Sequence, residues 1–283
     1  NYVTDFEIVM AVYLGKTLQK PLLVEGPAGV GKTEIAKVMS KALETDLIRL
    51  QCYEGIDANM AIYEWNYQRQ LLHIKLDEKG EKSFSEKEAT IFGEDFLMKR
   101  PLLQAISHHK APVLLIDELD RSDEEFESFL LEILSEWQIT IPEIGSIRAK
   151  EKPYVILTSN RTRELSEAVR RRCIFLWIDY PGFEKELRIL RNKVPDCDIS
   201  LTKKICIFME LIRQQKLEKI PGISETIDWA KSLVALHQDQ LDPEIVEATL
   251  GIVFKDRIDI EHIKNSLRDI LESVDLKIKE LDI

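Results

Sequence analysis

The most constraining feature of this chain is a glycine-rich octapeptide that stands between an apolar run and a helical pattern. Residues 26–33 read GPAGVGKT and match the pattern GxxxxGK followed by Ser or Thr. Leu22–Val24 leads into it, and Thr33–Leu43 carries apolar residues on one helical face. Glycines allow a backbone to wrap a polyphosphate, and a helix N-terminus adds positive potential. The octapeptide therefore predicts a phosphate-binding loop, with a purely structural Gly-rich turn as the alternative.

Two side chains of this loop have chemical roles in the prediction. Lys32 would bridge the β- and γ-phosphates, and the Thr33 hydroxyl would be a ligand of Mg²⁺. A bound polyphosphate and Mg²⁺ are thus expected, and ATP is the nucleotide that the family resemblance given below implies. The residues expected to bind them here are Gly26, Pro27, Ala28, Gly29, Val30, Gly31, Lys32 and Thr33.

A second motif places two carboxylates at the end of a buried strand. Val113–Ile116 is apolar and is followed directly by Asp117 and Glu118. The carboxyl ends of parallel strands meet at one edge of a sheet, so both acids would lie beside the phosphate loop. Asp117 would hold Mg²⁺ through its water shell, and Glu118 would be the general base that deprotonates the attacking water. The alternative is that both are merely solvated, because residues 117–127 contain seven acidic residues among eleven.

Two further polar groups lie near predicted strands. Asn160 follows the run Tyr154–Leu157 by three residues, and its amide could hold the attacking water, although Asn is also common in turns. Arg170, Arg171 and Arg172 precede another apolar run. They form either a solvated basic patch or a group that presents a cation to the γ-phosphate of a neighbouring subunit.

The spacing of the apolar runs predicts the fold class. Short runs bounded by turn formers or charges are typical of strands buried on both faces of a parallel sheet. The five runs are Leu22–Val24, Leu47–Leu50, Val113–Ile116, Tyr154–Leu157 and Ile174–Ile178. Between them, Ser122 and Glu125 predict a capping box at the start of an amphipathic helix. No strand-like run follows Pro181, so we expect an α/β domain over residues 1–181 and an all-α domain over residues 182–283.

Composition excludes several classes of function. The chain has 39 Lys and Arg against 50 Asp and Glu, a net charge of −11 that gives no general attraction to nucleic acid or anionic membranes. No apolar run approaches the ~18 residues of a membrane span. We therefore expect neither nucleic acid nor membrane as a partner. The cysteines, which show no CxxC spacing, predict reduced thiols in a cytoplasmic protein; they are Cys52, Cys173, Cys197 and Cys206.

Three smaller features are interpreted structurally. The polar segment 77–87 predicts an exposed loop or hairpin, and the pair His108–His109 a surface or capping role. The tryptophans fall within apolar patterns and are expected in the core; they are Trp65, Trp137, Trp177 and Trp229.

Together these motifs resemble those of the AAA+ ATPases, and specifically the MoxR family. The segments that carry the resemblance are GPAGVGKT (26–33), VLLIDELD (113–120), ILTSN (156–160) and LSEAVRRRCIFLWIDYP (165–181). A finer resemblance, to the CoxD-type maturation chaperones of carbon monoxide dehydrogenase, is carried by residues 51–57, 62–72, 117–143 and 222–230.

The resemblance implies a P-loop AAA+ core with a five-stranded parallel sheet ordered 5-1-4-3-2, a C-terminal helical lid, and a ring with nucleotide between subunits, most commonly a hexamer. Residues 26–33 take the Walker A place, and Asp117 with Glu118 the Walker B place. The catalytic residues that it implies are Glu118, Asn160 at the sensor 1 position, and Arg171 or Arg172 as an arginine finger acting in trans.

Other segments are similar to family features or depart from them. Ile139–Lys150 resembles the hairpin that precedes sensor 1, and an insertion in helix 2 is implied between Leu72 and Met98. Many AAA+ lids carry an arginine that contacts the γ-phosphate, whereas Thr226 stands in that place here. A short hydroxyl cannot replace the bidentate grip of a guanidinium.

Two functions follow as hypotheses. The first is an ATP-hydrolysing, chaperone-like remodeller that acts in the maturation or metal-cofactor assembly of a client enzyme, through a partner with a von Willebrand factor A domain. The second is a nucleotide-dependent assembly scaffold with slow or incidental hydrolysis. Glu118 and the arginines favour the first, and the missing lid arginine favours the second.

Overall fold

The computed structural model describes residues 2–76 and 90–281 in two compact units. The first, here called the sheet unit, contains Phe6–Glu25 and Lys32–Trp177. The second, called the helical unit, contains Asn1–Asp5, Gly26–Gly31 and Ile178–Ile283. The loop or hairpin predicted for residues 77–87 lies outside the described residues.

All strands of the described chain belong to the sheet unit. They are β1 (Leu22–Glu25), β2 (Leu47–Gln51), β3 (Tyr63–Trp65), β4 (Leu97–Lys99), β5 (Val113–Asp117), β6 (Gln138–Ile141), β7 (Gly145–Arg148), β8 (Tyr154–Ser159) and β9 (Ile174–Trp177).

Helices occur in both units. Those of the sheet unit are α1 (Phe6–Leu18), α2 (Lys32–Ala42), α3 (Ala58–Ile62), α4 (Tyr67–Leu76), α5 (Pro101–Ile106), α6 (Glu124–Glu136) and α7 (Glu167–Arg172). Those of the helical unit are α8 (Phe183–Lys193), α9 (Ile199–Arg213), α10 (Ile223–Ala235), α11 (Pro243–Val253) and α12 (Arg257–Leu281).

The main sheet is parallel and has the strand order β2-β5-β8-β1-β9. Numbered along the chain within this sheet alone, its strands lie in the order 5-1-4-3-2 from the β9 edge. The three inner strands consist almost entirely of buried residues, as continuous apolar runs predict. The α/β fold class with a P-loop core and a C-terminal helical region is confirmed.

The register of the inner strands brings their carboxyl ends together. Ile116 of β5 lies opposite Leu157 of β8, so the next residues along each strand, Asp117 and Thr158, are neighbours. Glu25 at the end of β1 lies opposite Ser159. The polar residues that follow each apolar run therefore gather at one edge of the sheet.

Two short antiparallel pairs accompany the main sheet. β6 and β7 form a hairpin in which Ile139 lies opposite Ile147, which confirms the hairpin expected in Ile139–Lys150. β3 pairs with β4, and the apolar runs of the sequence did not reveal this second pair. Most of the segment between Leu72 and Met98, where an insertion is implied, lies between these two strands in sequence. Residues 77–89 of that segment lie outside the described residues.

The capping box predicted at Ser122 is wrong. The Ser122 hydroxyl is buried and donates to the Leu119 carbonyl, 2.8 Å away, so it is not available to cap a helix. The N-cap of α6 is Asp123, whose Oδ1 accepts the Phe126 N–H at 2.8 Å. Asp123 is extended, at φ −86° and ψ 173°, as an N-cap residue is.

The expectation that all four tryptophans lie in the core is wrong for one of them. Trp65, Trp137 and Trp229 are buried, whereas Trp177 is 41 % exposed. Trp177 ends β9, which among the described strands is an edge strand that pairs with β1 alone. The Arg161 guanidinium lies over the Trp177 ring in a cation–π contact, with its central carbon 5.8 Å from the ring centroid.

The helical unit has its own apolar core. Residues 178–281 form the five helices and contain no strand, as predicted for the region after Pro181. Phe208 of α9 packs against Trp229 of α10, with ring centroids 5.0 Å apart, and both side chains are fully buried. Across the described residues, no helix is long and apolar enough to cross a bilayer.

The four cysteines are free thiols, as expected. Burial raises the pKa of Cys52 and of Cys173 to about 12, and it also raises the pKa of Cys206 and Cys197. Since the thiolate is the reactive species, these thiols are poor nucleophiles at neutral pH.

The cap of α6 gives a first prediction. Asp123→Ala removes the acceptor of the Phe126 N–H, and we expect it to lower the free energy of unfolding by about 1 kcal/mol. Urea unfolding followed by circular dichroism measures the change. Asp123→Asn keeps a capping oxygen and is the matched control, expected to unfold like wild type. Equal losses in both variants would contradict the assignment of the cap.

Candidate active site

The phosphate-loop backbone belongs to the helical unit and depends on glycine at two points. A Cβ on Gly26 would lie 2.0 Å from the Ile178 carbonyl oxygen, so no side chain fits there. Gly29 has φ +75°, and its carbonyl accepts the N–H of Ile223 at 3.1 Å and the N–H of Ser224 at 3.4 Å. These contacts within the helical unit fix the path of the loop just before Lys32.

Lys32 and Thr33 begin α2 in the sheet unit. They contact two other residues that the sequence motifs point to, Asn160 and Asp117. Lys32 is 7 % exposed, and its Nζ donates to Asn160 Oδ1 at 2.6 Å. The Thr33 hydroxyl donates to Asp117 Oδ1 at 3.2 Å. Burial lowers the pKa of the Lys32 ammonium below its ordinary value, and the carboxylates of Asp120, Asp117 and Glu118 oppose this shift.

Asp117 is buried at the end of β5 and is held from three sides. Thr158 Oγ1 donates to its Oδ1 at 2.5 Å, and Arg49 donates to its Oδ2 through Nε at 3.1 Å and Nη2 at 2.6 Å. Together with the Thr33 hydroxyl, the carboxylate offers the oxygen ligands that Mg²⁺ prefers. These residues therefore fit the expected ion.

Glu118 has a backbone conformation that is unusual for a residue with a side chain. Its φ is +54° and its ψ +48°, and its N–H donates to Thr158 Oγ1 at 2.9 Å. The Glu118 carboxylate is partly exposed to solvent, and Arg121 Nη1 lies 3.2 Å from its Oε2. Thr158 thus fixes both acidic residues, through the side chain of Asp117 and the backbone of Glu118.

The sequence motifs did not indicate that Arg49 and Thr158 contact Asp117. Thr158 stands inside the segment ILTSN, but its contact with Asp117 becomes visible only when β5 and β8 are known to be neighbours. Arg49 comes from β2, where an arginine in an otherwise apolar run is the only signal in the sequence.

The three arginines of α7 have different surroundings. Arg170 Nη1 lies 3.1 Å from Oε1 of the buried Glu25, and its guanidinium covers the Phe175 ring. Arg171 pairs with Glu167 one turn away at 2.6 Å, with 74 % of its side chain exposed. Arg172 bonds to Ser135 Oγ at 3.2 Å and to the Ala168 carbonyl at 3.1 Å. Among the described contacts, neither Arg171 nor Arg172 reaches Asp117, Glu118 or Lys32.

Thr226 in the helical unit is fully buried and has structural partners. Its hydroxyl donates to Glu186 Oε1 at 2.7 Å and accepts from Arg213 Nη2 at 3.0 Å. Arg213 forms a bidentate pair with Glu186, at 2.6 Å through Nη1 and 2.8 Å through Nη2, and the two side chains are 8 % and 1 % exposed. Thr226 therefore hydrogen-bonds to both members of this ion pair.

Residues 21–173, more than half of the chain, match the family described as AAA domain (dynein-related subfamily). The chain belongs to this family. Its matched region contains Lys32, Thr33, Asp117, Glu118 and Asn160. Membership in this AAA family supports a nucleotide-dependent activity.

The relatives of this AAA domain are distant. The chain is 23 % identical over 261 residues to an uncharacterized protein of Staphylococcus haemolyticus, with 90 % of each chain covered. It is 25 % identical over 239 residues to an uncharacterized protein of Staphylococcus epidermidis, covering 82 % of this chain and 81 % of that one. A mutant of RuvB from Thermotoga maritima has a TM-score of 0.50 at 18 % identity, covering 87 % of this chain and 68 % of that one. This structural likeness shows the AAA+ fold.

The buried pair of the helical unit gives a second prediction. Arg213→Met leaves the Glu186 carboxylate buried without its counter-charge, and we expect a loss of about 3–5 kcal/mol in the free energy of unfolding. Denaturant unfolding measures the loss.

The matched control for this prediction removes both charges. The double variant Arg213→Met with Glu186→Gln should recover most of the stability, because no charge is then stranded. A single Arg213→Met variant as stable as wild type would show that the pair contributes nothing.

Proposed function

We propose that this protein hydrolyses ATP and uses the energy to remodel a protein client. The observation that carries the proposal is the convergence of the site in the sheet unit. Lys32 bonds to Asn160, Thr33 bonds to Asp117, and Glu118 follows Asp117 directly. A lysine, a hydroxyl–carboxylate pair, a second carboxylate and an amide are the groups that phosphoryl transfer to water requires.

Each of these residues has a distinct task in hydrolysis. The Lys32 ammonium neutralises charge on the β- and γ-phosphates, and the Asn160 amide orients the attacking water. The Glu118 carboxylate accepts a proton from that water, as its partly exposed position allows. Thr33 and Asp117 would hold Mg²⁺, which when bound neutralises charge that develops on the phosphates.

The arginines of α7 support a ring assembly. A cation that stabilises the transition state must come near the γ-phosphate, and the exposed Arg171 and the adjacent Arg172 make their described contacts elsewhere. In the proposal one of them serves the site of a neighbouring subunit, in a ring that we take to be a hexamer.

The finer proposal concerns the client. The MoxR-like segments support a chaperone-like role in the maturation or cofactor assembly of an enzyme, with a von Willebrand factor A domain protein as partner. The free cysteines support a reducing compartment, so we place the protein in the cytoplasm.

A scaffold with slow hydrolysis is the second candidate, favoured by Thr226. Thr226 carries no charge, so it supplies no cation to a γ-phosphate. Its side chain is fully buried and bonds to Glu186 and Arg213 instead. In this alternative, ATP binding orders an assembly and turnover is incidental.

Two variants of the site give the third prediction. Lys32→Ala should abolish ATP binding, because charge on the phosphates is left uncompensated. Glu118→Gln should bind ATP and reduce hydrolysis at least about 10²-fold, because the shape is kept and the base is lost. Fluorescent-nucleotide binding and phosphate release measure the two effects in the presence of Mg²⁺.

The control is Glu124→Gln, which changes another acidic residue, on the exposed first turn of α6, and should hydrolyse ATP like wild type. If wild-type protein hydrolyses ATP at a measurable rate, an equal rate in Glu118→Gln would exclude Glu118 as the base. ATP binding without measurable hydrolysis by the wild-type protein would instead favour the scaffold.

The fourth prediction tests action in trans. Arg171→Ala or Arg172→Ala, whichever removes the finger, should leave ATP binding intact and lower turnover by about 10³–10⁵. Mixing that variant with the inactive Lys32→Ala protein should restore activity, because a wild-type arginine then faces a wild-type phosphate loop at some interfaces. Phosphate release by the mixture measures the rescue.

The two inactive proteins measured separately are the controls. An arginine that acts within its own subunit gives no rescue in the mixture. Full activity in every single arginine variant would end the finger hypothesis and leave the cluster as a candidate client-binding patch.

A further inference from the structure

Asp120 is a buried carboxylate that the functions assigned above do not use. It lies in the 3₁₀ turn Leu119–Arg121, two residues after Glu118, and is 3 % exposed. A carboxylate is rarely buried to this extent unless other groups compensate its charge. Its partners therefore indicate what it does.

The partners of Asp120 all come from the segment that follows β8. Its Oδ2 accepts the Asn160 N–H at 3.2 Å, the Thr162 N–H at 2.8 Å and the Thr162 hydroxyl at 2.7 Å. Three donors on one oxygen fix the chain on both sides of Arg161, which has φ +57°. The carboxylate thus determines the direction in which the backbone leaves β8.

The same segment carries the amide of the active site. Asn160 Oδ1 accepts the Lys32 ammonium at 2.6 Å, so the position of the amide depends on a backbone that Asp120 holds. The amide nitrogen of Asn160 carries two N–H donors that can bind a water or a phosphate.

The second oxygen of Asp120 indicates why a charged residue stands here. Oδ1 is buried and has no hydrogen-bond partner within the described residues, and no described ion pair neutralises the carboxylate. Of the three carboxylates that oppose the lowered pKa of Lys32, Asp120 has the largest effect. Its charge therefore acts on the lysine of the site as well as on the backbone.

We propose that Asp120 is a positioning residue that holds Asn160, and through it Lys32, in the arrangement required for hydrolysis. The inference rests on the proposed ATPase function and extends it to a residue that contacts no reacting atom. It implies that loss of Asp120 acts on turnover through Asn160 and not through general destabilisation.

The fifth prediction tests this with a double-mutant cycle. Asp120→Ala removes the oxygen that accepts all three donors, so we expect kcat to fall by about 10²-fold, the loss typical of a group misplaced by about 1 Å. In an Asn160→Ala background the same substitution should lose at least about threefold less, because the group that Asp120 positions is already gone.

The experiment distinguishes failure of the positioning role of Asp120 from failure of the proposed ATPase function. Losses that agree within about threefold in the two backgrounds overturn the positioning role, whereas a larger difference supports it. If wild-type protein shows no hydrolysis, the proposed function fails, and this inference fails with it. An active wild type with equal losses overturns the role of Asp120 alone.

Two further variants cover the case in which Asp120→Ala does not fold, as judged by its thermal unfolding. Thr162→Val removes one donor to Oδ2 without changing a charge, and Thr162→Ser keeps the hydroxyl. The first should lower kcat in the wild-type background more than in the Asn160→Ala background, and the second should match wild type. Equal effects of Thr162→Val in both backgrounds overturn the proposal, and Asp123→Ala, a nearby substitution of the same type, is the control.

Discussion

The alignment of the inner strands is the constraint on which the rest of the sheet unit depends. Because β1, β5 and β8 are parallel neighbours, the residues after each apolar run meet at one edge, with Ile116 opposite Leu157 and Leu23 opposite Leu157. Segments that are far apart in sequence thereby supply one site. A shift of a single residue in the β5–β8 register would turn Asp117 or Thr158 to the opposite face and separate them.

Four buried carboxylates of the described residues lie in two kinds of surroundings. Glu186 and Glu127 have arginine partners at 2.6 and 2.5 Å, which compensate their charges within the structure. Asp120 and Asp117 lie close to Lys32. Asp120 accepts from N–H and hydroxyl donors, whereas Asp117 accepts from a hydroxyl and from the exposed Arg49. The first arrangement stabilises packing, whereas the second keeps negative charge next to a lysine and a hydroxyl that are expected to bind phosphate and metal. Stability and chemistry therefore use the same type of residue in different surroundings.

Sequence patterns predicted the elements well and the contacts between them poorly. Buried strands have few turn residues and no alternation, so all five main strands were found, and the order of the motifs indicated the site. The cap at Asp123 was missed because both Ser122 and Asp123 are good N-cap residues and only the buried Ser122 hydroxyl decides between them. The exposure of Trp177 and the roles of Arg49 and Thr158 depend on which strands are neighbours, a property that no local pattern contains.

The arginines of α7 are adjacent in sequence, but the strands and side chains around them differ, and so do their ion-pair partners. Glu25 is buried at the end of β1 and lies within ion-pair distance of Arg170, at 3.1 Å, and of Arg161, at 3.6 Å. A buried carboxylate that lost Arg170 would be poorly compensated, so Arg170 is committed to Glu25. Among the described contacts, the partner of Arg171 is an exposed carboxylate one turn away, and an exposed pair of this kind contributes little to stability. Arg171 can therefore leave its partner at a smaller loss of stability than Arg170 can.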